Sequence, residues 1–467
     1  MVIRKCLELS FKKIRRWWKK ETFLKNVIKI SLNNKKEAKL MKRSLTILLV
    51  VGLLFTMNFN IFAQDDIELT IAGGAVGEEL QLTQKAAKIF EEKYPGVSVE
   101  VLSTPDLAND RLGLYLQFLE AESPNVDVYQ IDVIWPGDLA QHFLDLNEYG
   151  AEEVAGEHFQ AIIENNTVDG KLVAMPWFTD AGLLYYRQDL LDKYDLELPK
   201  TWEELERAAK TIQTGERAAG NQDFWGFVWQ GNAYEGLTCD ALEWIHSNGG
   251  GAIVNSDKEI TIYNEKAVEA VEMAGNWVGY ISPPGVTGMA EEDARKAWEA
   301  GNAAFMRNWP YAYSLGNQEG KVIAGKYDVA PLPAGDSGSG SATLGGWNLA
   351  ASKYSNNPEW AAKLALFMAG DEVQKLRATE GSFNPTIKNL YKDEDVLEAN
   401  PFFGKLYDVF TNAVARPSTQ TAPQYNQTSE LFFQAVHKVL TGEEDADSAL
   451  AYLELDLQDL LDYPIAD

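Results

Sequence analysis

Cysteine is almost missing from this chain: 467 residues hold two, Cys6 and Cys239. One sits at the extreme front and the other stands alone in the body, so no disulfide framework can form. Cys239, inside the run Leu237–Leu242, reads as a buried structural thiol. Histidine is nearly as scarce. His142, His158, His246 and His437 lie in unrelated contexts, which gives metal or triad chemistry little to work with. No P-loop, no G-x-G-x-x-G after a strand, no G-x-S-x-G, no H-E-x-x-H and no C-x-x-C is present. There is no repeat of fixed period and no low-complexity tract. No metal, cofactor or catalytic group is therefore expected. Carboxylates are abundant, so composition alone leaves a two-carboxylate glycosidase open, although no acid/base pair stands out by spacing.

Positive charge is also short, and unevenly placed. The chain carries a net charge of −27, while residues 1–63 carry +12, leaving −39 for the remainder. A surface that acidic repels nucleic acid and anionic lipid, which argues against both as partners. The basic front has its own logic. Met41-Lys42-Arg43-Ser44 precedes an apolar run, about residues 45–62, and then Ala63-Gln64-Asp65-Asp66. A basic segment, an apolar core and a small residue at the cut form a secretory signal, and cleavage after Ala63 is expected. The run is also long enough to be kept as a membrane anchor. No Cys near the cut supports a lipid anchor. Residues 1–40 read either as an over-extended gene start ahead of Met41 or as a real basic extension.

The body is long enough for two or three domains with full cores. Ile67–Ala72 alternates as a strand into Gly73-Gly74, and Glu78–Lys93 follows as a helix stopped by Tyr94-Pro95-Gly96. Val97–Leu102 is a second strand, Asp106–Ala121 a second helix and Val126–Ile134 an apolar third strand. That order predicts a mostly parallel α/β sheet, whose ligands collect at the carboxyl ends of the strands. Later helices are expected at Thr201–Gln213, capped by Thr201 and Glu204, and at 234–247, 264–280, 291–301, 357–370, 372–379, 400–411, 429–440 and 446–461. Gly335–Ser341 is a flexible stretch leading into the apolar strand Ala342–Ala350, which predicts a return between domains.

The organising stretch is Met175–Arg187, a Pro-led extended segment dense in aromatics with Asp180 at its centre. Burying an ionised Asp costs several kcal/mol unless donors surround it. Asp180 either satisfies its own backbone in a turn or serves a sugar, whose hydroxyls meet carboxylates while its C–H faces meet rings. Other polar groups sit beside aromatics at turns: Trp309 and Tyr311, Gly345-Gly346-Trp347, and Arg416. Most tryptophans are core residues, but Trp309 and Trp347 lie in Pro- or Gly-punctuated turns where aromatics tend to serve ligands. Arg416 taken alone reads first as a surface ion pair.

Glu91–Val97, Gly182–Arg187, Trp225–Gly231, Arg307–Ala312 and Thr343–Trp347 together resemble the extracellular solute-binding proteins of carbohydrate ABC transporters, above all the trehalose- and maltose-binding members. The likeness runs from about Ile67 to the end. It implies a two-lobed α/β fold, a ligand cleft and several crossovers, the first near Asp180 and the second near 340–343. Lobe I would be 64–178 with 341–385, and lobe II 179–340 with 386–467. It also implies a monomeric, secreted, non-catalytic receptor that passes an α-linked disaccharide to a membrane permease. Carried across, the sugar-contacting positions are Asp132, Asp180, Trp309, Tyr311, Gly345, Gly346, Trp347 and Arg416, with Arg111. An acidic contact falls on Glu78 or Glu79, one extra residue there leaving the choice open. Two departures bear on the exact sugar. Phe178 stands where close relatives have Tyr, and Thr421-Ala422 where they have a Tyr pair.

Overall fold

The alternation read from Ile67 onward builds a sheet. The computed structural model describes residues 67–411 and 413–466; the basic front, the apolar run and the cut after Ala63 lie outside them. The chain divides into Met1–Asp66 and Ile67–Asp467, and every described element belongs to the second unit. No helix among the described residues is long and apolar enough to cross a membrane.

β1 (Ile67–Gly73), α1 (Glu79–Lys93), β2 (Val97–Ser103), α2 (Ala108–Glu120) and β3 (Val128–Asp132) follow one another. β1 runs parallel to β2 residue for residue, from Ile67 opposite Val97 to Gly73 opposite Ser103. Leu82, Ala86 and Phe90 repeat every four residues along α1 and are buried, so that face lies inward. Short helical turns fill 136–165, where no element was expected. β4 (Met175–Ala181) and β5 (Leu183–Arg187) come next. The stretch read as one extended segment is thus two strands parted at Gly182.

α3 (Trp202–Ala218), β6 (Trp225–Val228), α4 (Glu235–Ser247), α5 (Glu265–Trp277), α6 (Glu291–Glu299), β7 (Ala303–Asn308) and β8 (Tyr327–Ala330) complete the middle of the chain. Thr201 caps α3 by accepting from the Glu204 N–H, while the Glu204 carboxylate reaches back to the Lys200 N–H instead of closing the expected box on Thr201. β9 (Leu344–Ala351), α7 (Pro358–Met368), α8 (Asp371–Gly381), α9 (Tyr425–Thr441) and α10 (Ala446–Leu461) finish it. The helix expected over 400–411 is two short ones, 401–405 and 407–411, because Leu406 interrupts it.

Two sheets result. One has five strands in the order β2-β1-β3-β9-β4, and the other four in the order β8-β5-β7-β6. β9 inserts antiparallel between β3 and β4, so a late strand closes the early sheet. β5 and β7 are buried along their whole length, as strands covered on both faces must be. The chain leaves the first sheet at Ala181 and enters the second at Leu183. It returns through Ala342-Thr343-Leu344, and Val414 pairs with that segment by exchanging backbone bonds with Ala342 and Leu344. Before this last passage, Tyr391 and Tyr407 pack tilted against Phe159 and Asn400 donates to the Ala378 carbonyl. The third crossing therefore falls at 413–416, later than the boundary at 385.

Candidate functional site

Glycine makes the crossings possible. A Cβ on Gly182 would lie 2.1 Å from Glu243 Oε1 and 2.7 Å from Arg307 Nη2. Those two groups form a buried pair, and Glu243 also accepts from the Thr343 N–H at 3.1 Å. One ion pair thereby fastens the first and second crossings. Gly346 has φ +118°, and a Cβ there would meet the Phe178 carbonyl oxygen at 2.5 Å. Only glycine fits that backbone without strain.

Where the carboxyl ends of the first sheet face the second lies a cavity that opens to solvent and is lined from both sides. Glu79, Asp132, Phe178, Asp180, Gly345, Gly346 and Trp347 line it from the first side, and Trp309 and Tyr311 from the second, with Arg416 between. Ten of the twelve residues expected at a ligand are thus brought together. Glu78 and Arg111 are not on the wall. Glu78 instead accepts a hydrogen bond from Gln318 Nε2 at 2.7 Å, because the first turn of α1 points Glu79 inward and Glu78 away. Arg111 is fully buried behind Trp347, its guanidinium 4.1 Å from the ring centre.

The aromatic walls are held from behind in the same manner. Arg307 lies 3.9 Å from the Trp309 ring, whose Nε1 donates to Glu291 at 3.3 Å. Tyr311 donates to Glu292 at 2.8 Å and stacks with Phe383 at 6.5 Å. Arg377 sits 3.9 Å from Trp177 and 4.3 Å from Phe383. Trp309 and Trp347 remain half-buried while Trp177 is wholly buried; Trp309 lies in a loop as expected, whereas Trp347, expected in a turn, sits within β9. Gly345 makes room for protein atoms: a Cβ there would touch the Trp309 ring at 3.0 Å.

The carboxyls differ in their partners. Asp132 accepts from Arg416 at 2.8 Å, and Arg416 also donates to Glu235 at 2.8 Å. Glu235 further accepts from Tyr425 and Ser429, both at 2.6 Å. Arg416 therefore ties β3 to the start of α4, and only its Nε lacks a partner. Asp180 is 7% exposed, and its Oδ1 has no hydrogen-bond partner. Burial pushes its carboxyl well above the ordinary range, the nearby Glu79 adds to the rise, and Arg307 and Arg377 oppose it. Glu79 also has one unpartnered oxygen, and burial raises it against the pull of Arg111 and Arg377. Burial lowers the Arg377 guanidinium to about 10. Donors and acceptors left open around one cavity are what a polyhydroxylated ligand would satisfy.

Tyr234, Glu235, Glu291, Asp106 and Phe383 also line the cavity and were not foreseen. Glu235 and Glu291 open helices, where acidic residues are ordinary, so nothing set them apart. Cys239 is buried as expected, yet it too borders the cavity. Among the described residues no group of His, Cys, Asp and Glu is placed to hold a metal ion.

Residues 74–375 match the family model of bacterial extracellular solute-binding proteins. A probable ABC transporter-binding protein of Deinococcus radiodurans is 53% identical over 389 residues, 83% of this chain and 92% of that one. Among solved structures, maltose-bound T. maritima MalE3 superposes with a TM-score of 0.81 at 40% identity, over 85% of this chain and 100% of that one. A solute-binding protein of Thermotoga lettingae bound with α-D-tagatose superposes with a TM-score of 0.76 at 26% identity, over 85% of this chain and 100% of that one.

Proposed function

Because the chain belongs to the bacterial extracellular solute-binding proteins, we propose that it captures an α-linked disaccharide of the trehalose or maltose kind. It is the solute-binding component of an ABC transporter and not an enzyme, and its structural relatives bind sugars. The finer reading rests on one observation. Carboxylates and aromatic rings from both sheets converge on one cavity, with Asp180 Oδ1 and Glu79 Oε2 left without partners inside it. Sugar hydroxyls would donate to those oxygens, and the rings of Trp309, Trp347 and Tyr311 would take the apolar faces.

On this reading the sheets are the two lobes, joined at Gly182, Thr343 and residues 413–416, and they close on the sugar before handing it to the permease. The chain acts as a monomer, exported by its basic and apolar front with cleavage after Ala63. Calorimetry of the sugar-free protein against maltose, trehalose, sucrose, cellobiose and a peptide panel tests the ligand. Binding confined to the α-linked pair is expected, and a peptide or β-linked preference overturns it. Amino-terminal sequencing of the exported protein tests the cut.

A further inference from the structure

Buried carboxyls around the cavity outnumber the guanidiniums beside them. Arg416 is shared by Asp132 and Glu235, at 2.8 Å each. Arg307 is likewise shared by Asp240 and Glu243, at 3.0 and 2.5 Å. Glu79 has Arg111 at 3.9 Å. Among the described residues Asp180 has no Lys or Arg nitrogen within the 4.0 Å of an ion pair, and Arg377 has no such carboxylate. Arg377 instead spends its faces on Trp177 and Phe383. Six buried carboxyls therefore stand against four guanidiniums, and half-buried Glu291 on the cavity wall makes a seventh.

A second observation points to a ligand. Asp180 Oδ1 has no partner and Glu79 Oε2 accepts no hydrogen bond, Arg111 Nη2 standing 3.9 Å away; the two residues are 7% and 3% exposed, and both line the cavity. A neutral sugar offers hydroxyl donors to these oxygens and brings no cation to match the surplus carboxyls. An ammonium group offers N–H donors and the missing charge together, and a hydrogen bond with both partners ionised is roughly twice as strong as a neutral one. The low dielectric around the buried carboxyls strengthens that attraction further. The acidic surface, −39 beyond residue 63, also draws cations toward the cleft.

We infer that the cavity takes a glycoside carrying a protonated amine, an amino-disaccharide, and holds it more tightly than the neutral disaccharide of the same shape. The inference rests on the proposed sugar-binding function and deepens it by naming the ligand class. Asp180 is the acceptor for the ammonium, with Glu79 beside it.

Two matched pairs test this by calorimetry just below neutral pH: trehalose with 2-amino-2-deoxytrehalose, and maltose with 2-amino-2-deoxymaltose. In one pair the amino member should bind about tenfold tighter or better, and added salt should erode its lead while leaving the neutral member alone. Asp180→Asn should bring the two members within about threefold of each other, by removing the charged acceptor. Glu79→Gln should narrow the same ratio, which keeps the test open if the first variant folds poorly. Equal binding, or a tighter neutral member in both pairs, overturns the inference and leaves the disaccharide reading standing. An unchanged ratio in both variants overturns it as well. Failure of all four ligands overturns both.

Discussion

Gly345 stands opposite Asp180 across the β9–β4 pair, and the Trp309 ring occupies the space a side chain on Gly345 would take. The neighbouring Gly346 is held at φ +118° against the Phe178 carbonyl. The two glycines should therefore fail differently. Gly346→Ala is expected to cost about 1–3 kcal/mol of stability, read by denaturant unfolding. Gly345→Ala should keep most of the stability and weaken ligand binding, because the Trp309 ring and Asp180 must shift by tenths of an ångström. Equal losses of stability in the two variants would contradict this account.

Trp347→Ala should lower ligand affinity by about 2–4 kcal/mol, as for a buried aromatic anchor. Trp347→Phe should recover part of it by keeping a ring over Arg111. Calorimetry measures both, and unchanged affinity in Trp347→Ala removes the ring from the site.

Glu78 and Glu79 should separate cleanly. Glu79→Ala is expected to weaken binding by tenfold or more, about 1.4 kcal/mol, since a buried acceptor is lost from the wall. Glu78→Ala loses one exposed bond to Gln318, leaves the wall intact and should leave ligand affinity unchanged. Comparable losses in the two would return Glu78 to the ligand.

Lobe closure has its own readout. A ligand touching Asp180, Asp132 and Trp309 favours the closed state by its differential affinity. Small-angle scattering of the wild type at saturating disaccharide should show contraction, and Asp180→Ala should not contract at the same concentration. A wild type that does not contract rules out the clamshell.

Stability should fall as pH rises through the range set by Asp180. Its folded carboxyl titrates well above its unfolded value of 3.8, chiefly through burial, so the folded state binds the proton more tightly. Between those two values, each step up in pH costs the ligand-free protein stability. Asp180→Asn should melt higher than the wild type at pH 7, with the gap shrinking as pH drops toward the unfolded value. Thermal unfolding of both proteins across that range checks it, and a gap constant with pH would show that the charge of Asp180 is not the cause.

Much of the site was legible because local chemistry announces it. Carboxylates and tryptophans beside Gly and Pro are unusual enough to single out Asp180, Trp309 and Trp347, and all three line the cavity, although Asp180 and Trp347 sit within strands and not in turns. Glu235, Glu291 and Phe383 gave no such signal, since an acidic first turn and an aromatic after a helix are ordinary sequence.

By itself the sequence determined the element order from β1 to β3, because hydrophobic period and turn residues act within a few residues. It also determined the glycines on which the first crossing and the close β9–β4 contact depend, since no other residue tolerates those contacts. Only the tertiary structure decided that Glu79 faces the cavity and Glu78 faces Gln318. The same holds for Arg111, which supports Trp347 from behind. It holds too for Arg416, which reaches Glu235 across 181 residues of chain and Asp132 across 284. The physical reason is common to all of them. Which way a helix turn points, and which buried charges must share a partner, is set by packing between segments far apart in sequence.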